Sequence, residues 1–92
     1  MEIEKLIRAL EVTVEYLQRS QSSDWASMSV DEIIQELESV ITKAKDAQSI
    51  DTNLLGFLFA PTGPIQETSI DNGWGDKFLK ISEVVDQVTE KH

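Results

Sequence analysis

The chain has no cysteine, one histidine, two prolines, four glycines and eight basic residues against seventeen acids. Each scarcity closes off some chemistry. Without cysteine there is no disulfide frame, no thiolate metal site and no thiol nucleophile, so stability must come from apolar packing, and the bias is toward the cytosol. The one histidine is His92, the last residue, so neither a Ser-His-Asp arrangement nor a histidine zinc site can be assembled around it. The longest apolar block, Leu54 to Ala60, falls far short of the roughly 20 residues a membrane helix needs. The opening MEIEKLIRALEV is acidic and amphipathic, unlike a secretory signal. A chain of 92 residues suits one small domain.

The formal charge of −9 is unevenly spread. Between Arg19 and Lys43, and again between Lys45 and Lys77, there are ten acids and no base. Such surfaces repel nucleic-acid phosphates and anionic lipid, which leaves a basic protein as the eligible partner.

Periodicity then supplies the framework. Ile3, Leu6, Ile7, Leu10, Val14 and Leu17 recur at steps of three and four, which predicts a helix from Glu2 to Arg19. Glu4 with Arg8 and Glu15 with Arg19 stand four apart on its solvent side. SQSS, residues 20 to 23, should end it, because these side chains compete for the backbone. Ser29 and Glu32 have capping-box spacing, with Met28 and Ile33 placed as a staple, so a second helix runs to about Lys45.

The run Leu54, Leu55, Phe57, Leu58 and Phe59 has two readings. One is a short helix capped by Asp51 and ended near Phe59 by Pro61. The other is a strand of a β-hairpin over residues 54–70, an α+β alternative; the helix-rich surroundings favour the first. Pro64 suits the first turn of another short helix capped by Gly63 or Thr62, stopped at Asn72-Gly73. A final helix starts at Gly75 or Asp76, with Trp74, Phe78, Ile81, Val85 and Val88 on its stripe and Leu79 and Val84 widening it toward a core. The expected fold is an all-α single-domain bundle of four or five helices, three of them packed around the Leu54–Phe59 run.

No catalytic or ligand-binding constellation is complete, and no cofactor is expected. PTGP lacks the lysine of a phosphate loop. DTNLLG begins like a calcium loop, but Leu55 and Thr62 stand where oxygen ligands belong. Trp74 reads as a packing anchor; Trp25, in a polar loop, is open to a partner.

The segment Phe59, Thr62-Gly63, Ile65, Gln66-Glu67 and the helix from Gly75 resembles the layout of small bacterial immunity-type proteins and helical families akin to them. The likeness runs over roughly the last forty residues; the departures are two prolines in the loop and Gln66-Glu67 where a shorter amide and acid belong. It implies a helical inhibitor or partner-binding domain without catalysis. On this reading Trp25, Thr62, Gln66, Glu67, Asp71 and Asp76 form the partner surface, Trp25 or the Thr62–Gln66 edge as anchors and the acids as rim. The rival readings are a self-associating structural module and a small carboxylate-based enzyme.

Overall fold

Helix α1, Glu2–Gln18, buries Leu6, Leu10, Thr13, Val14 and Leu17 on one face. In the computed structural model, which describes residues 2–24, 26–47 and 49–90, this helix packs along two others. Each fully buried leucine on it contributes about 1.5–3 kcal/mol. Thr13 joins the stripe because its hydroxyl donates to the Ala9 carbonyl at 2.8 Å, so its one donor is satisfied without water.

Helix α2, Val30–Lys45, begins with the capping box. The Glu32 N–H donates to Ser29 Oγ at 3.2 Å, and the Ser29 N–H donates to Glu32 Oε1 at 3.0 Å. These bonds satisfy two of the backbone donors a helix start leaves orphaned, and Ser22 Oγ accepts a third, from the Val30 N–H at 2.9 Å. α2 lies antiparallel to α1, with Lys45 Nζ 3.2 Å from Glu11 Oε2. That ion pair is about half exposed and worth no more than about 1 kcal/mol. Among the described residues, neither Glu4–Arg8 nor Glu15–Arg19 forms the pair its spacing suggests.

The ambiguous run is helical. α3, Thr52–Leu58, is capped by Asp51, whose Oδ1 accepts from the Leu54 N–H at 2.9 Å, and it ends at Phe59. Helix α4, Pro64–Asp71, follows with Gly63 as its cap. No strand occurs among the described residues, so the hairpin alternative is set aside and the fold is an all-α bundle of five helices.

Helix α5, Gly75–Thr89, returns antiparallel along the other side of α1 and buries Phe78, Val85 and Val88. The core therefore centres on α1, held between α2 and α5, rather than on the Leu54–Phe59 run. That run supplies Leu55, Leu58 and Phe59 to one side of the core, with Phe59 stacked on Phe78 at 6.1 Å between ring centroids, while Phe57 faces solvent. Leu79 departs from expectation as well: it is 55% exposed. At 100° per residue it falls well off the arc of Phe78 and Val85 that meets the core.

Candidate functional site

The six sequence-predicted partner residues fall into three places. Trp25 lies outside the described residues. Thr62 and Gln66 meet at the α3–α4 corner, where the Thr62 N–H donates to Gln66 Oε1. Thr62 has φ +61°, a left-handed conformation that a β-branched residue adopts only at a cost in strain. Gly63 lets the corner close, since a Cβ there would stand 2.9 Å from the carbonyl oxygens of both Phe57 and Ala60.

Glu67 and Asp71 follow on α4, four residues apart on one flank, and Asp76 stands exposed in the first turn of α5. Asp71 is more than rim: its Oδ2 accepts from the Ser23 hydroxyl, which ties the end of α4 to the loop between α1 and α2. Beside it Asn72 makes three bonds. Its Oδ1 accepts from the Gln21 N–H at 3.0 Å, and its Nδ2 donates to the carbonyls of Gln21 and Thr68, both at 2.8 Å.

The turn from α4 to α5 is a Schellman motif. The Trp74 N–H donates to the Ser69 carbonyl at 2.9 Å and the Gly73 N–H to the Ile70 carbonyl at 3.3 Å, with Gly73 at φ +81°. Trp74 then caps α5, as its carbonyl accepts from the Phe78 N–H at 3.0 Å. One residue thus closes α4 and opens α5, which fixes the angle between the two helices.

Two exposed side chains absent from the sequence-based set flank that turn. Ile70 is 57% exposed and packs beside Gly75, where a Cβ would lie 3.5 Å from its Cγ1. Leu79 stands one turn beyond Gly75 on the same flank of α5. Ile70 is one turn from Gln66 and from Glu67, and Leu79 is one turn from Asp76 and Glu83. The result is a face with two exposed aliphatic side chains, bordered by acids along both helices. A helical projection of α4 carried the signal, because Ile65, Thr68 and Ser69 share its buried arc and Ile70 falls outside it.

Among the described residues no group of three or more acidic or histidine side chains is arranged to hold a metal ion, and no helix is long and apolar enough to cross a membrane. Comparison with protein-family models, with curated proteins and with solved structures finds no match to this chain.

Proposed function

We propose that this chain is an acidic, non-catalytic protein-binding module of the immunity or inhibitor type, which neutralises a basic partner by docking it on the α4–α5 face. The observation that carries the reading is the pair Ile70 and Leu79, left in water within a border of Glu67, Asp71, Asp76 and Glu83. Acids around a docking face speed the encounter with a basic protein and disfavour acidic ones, while affinity comes from a few side chains that lose their water on contact. Ile70 and Leu79 are those side chains. The strained Thr62, held by Gln66 one turn from Ile70, extends the face toward the α3–α4 corner. Asp71 stands on that border and accepts from the Ser23 hydroxyl, so it serves both the border and the fold.

The test is association kinetics against a basic protein recovered by affinity capture, at low and moderate salt. Glu67→Lys with Asp76→Lys should slow association and flatten its salt dependence, whereas Ile70→Ala with Leu79→Ala should speed dissociation. Both variants should keep the wild-type helical spectrum. Identical rates for wild type and the charge-reversed variant across the salt range would remove this face from the reading.

A further inference from the structure

On the opposite flank of α5, where it runs antiparallel to α1, lies an open groove of about 460 Å³. Its floor is aliphatic, formed by Val12, Ile81 and Val84. Its walls carry Lys5 and Arg8 from α1 and Lys80 from α5, against the single acid Glu2. The chain has only eight bases, so three of them against one acid on a single groove is a local reversal of an otherwise acidic surface. All three are exposed, and among the described residues none of them joins an ion pair. Their stems flank the apolar floor while the charged heads stay in water, so a partner that covers the floor brings its own polar border against three cations.

We propose that this groove binds an acidic amphipathic helix of another protein. Aliphatic side chains of that helix, one turn apart, seat on Val12, Ile81 and Val84, and its Asp and Glu side chains meet Lys5, Arg8 and Lys80. The shape and charge placement select this occupant. From Lys5 to Val12 the wall extends about 10 Å at 1.5 Å per residue, which is two turns of a bound helix. The cations stand on both walls along that length, which suits several carboxylates rather than a single headgroup. An anionic lipid-like molecule would need its chain enclosed on most sides, and this groove is shallow and largely open to solvent. Ile81 and Val84 point away from the flank of α5 that carries Leu79, so the groove and the Ile70–Leu79 face are separate surfaces.

The experiment follows backbone amide shifts of the full chain during titration with a blocked peptide of about 15 residues, leucines at heptad spacing and glutamates flanking them. A second peptide carries lysine at every glutamate position. The glutamate peptide should give saturable shifts at Val12, Ile81 and Val84, and the lysine peptide should bind at least about tenfold more weakly. Arg8→Glu with Lys80→Glu should invert that preference while leaving the helical spectrum unchanged. Equal binding of the two peptides, shifts confined to other helices, or no saturation at millimolar peptide would overturn the proposal. So would shifts of the same amides on simple dilution of the protein, which would mean a second copy fills the groove. Laurate shifting these amides when the glutamate peptide does not would likewise replace the helix by a lipid-like ligand.

Discussion

Tyr16 and Trp74 stack with ring centroids 4.9 Å apart and planes 14° from parallel. The contact joins the last turn of α1 to the cap of α5 across the whole sequence between them. The indole Nε1–H donates to Ser20 Oγ at 2.9 Å, and the same hydroxyl donates to the Tyr16 carbonyl at 2.8 Å. A single serine thus ends α1 and satisfies the buried tryptophan. Together with Ser23–Asp71 and Gln21–Asn72, these bonds clip the loop after α1 onto the α4–α5 corner. They orient the acidic face relative to the rest of the bundle.

Trp74 is only 6% exposed, so Trp74→Ala should cost about 3–5 kcal/mol, the range for deleting a buried large aromatic. Trp74→Phe keeps a ring against Tyr16 and drops the bond to Ser20; it should cost about 1–3 kcal/mol. Urea denaturation of both variants is the check. An alanine variant with the wild-type midpoint would contradict the role given to this contact.

Two glycines should respond in opposite directions. Gly63→Ala forces a methyl against two carbonyl oxygens of the backbone, which cannot swing aside, and should destabilise by about 1–3 kcal/mol. Gly56 lies inside α3 with nothing within 4 Å of an added Cβ, so Gly56→Ala should stabilise by about 0.5–1 kcal/mol through helix propensity and a less flexible unfolded chain. Thermal melts of the pair decide the matter, and equal shifts of the same sign would contradict the corner geometry.

The bond from the Ser29 backbone N–H and, less strongly, the Ser29 hydroxyl hold the Glu32 carboxyl below its ordinary range. A carboxyl whose folded pKa is depressed adds stability above its unfolded pKa, and that increment is lost as pH falls through the folded value. Glu32 should therefore titrate below the ordinary glutamate range by side-chain NMR. Glu32→Gln, which keeps an acceptor for the cap, should flatten that part of the acid limb. A Glu32 titration at the ordinary glutamate value would remove the capping box as a source of acid sensitivity.

The ends of the helices were legible in the sequence because local chemistry sets them. The Ser29–Glu32 box, the Asp51 cap, Pro64 and Asn72-Gly73 act within a few residues, and α2, α3 and α4 begin or stop where they stand. The apolar stripes of α1 and α2 likewise declared which side would be buried. Thr13 escaped because a buried hydroxyl looks polar until its bond to the Ala9 carbonyl is seen.

What the residues could not declare alone was which helices would meet, since a stripe states that a face is buried and is silent about its neighbour. Tertiary packing placed α1 between α2 and α5, left Leu79 and Ile70 in water, and gathered Lys5, Arg8 and Lys80 on one groove from helices some seventy residues apart. It also turned Asp71 from a surface acid into the acceptor for Ser23. Helix ends follow from interactions within a turn of the chain, whereas a docking face is made of side chains that only the packing angle between helices brings together.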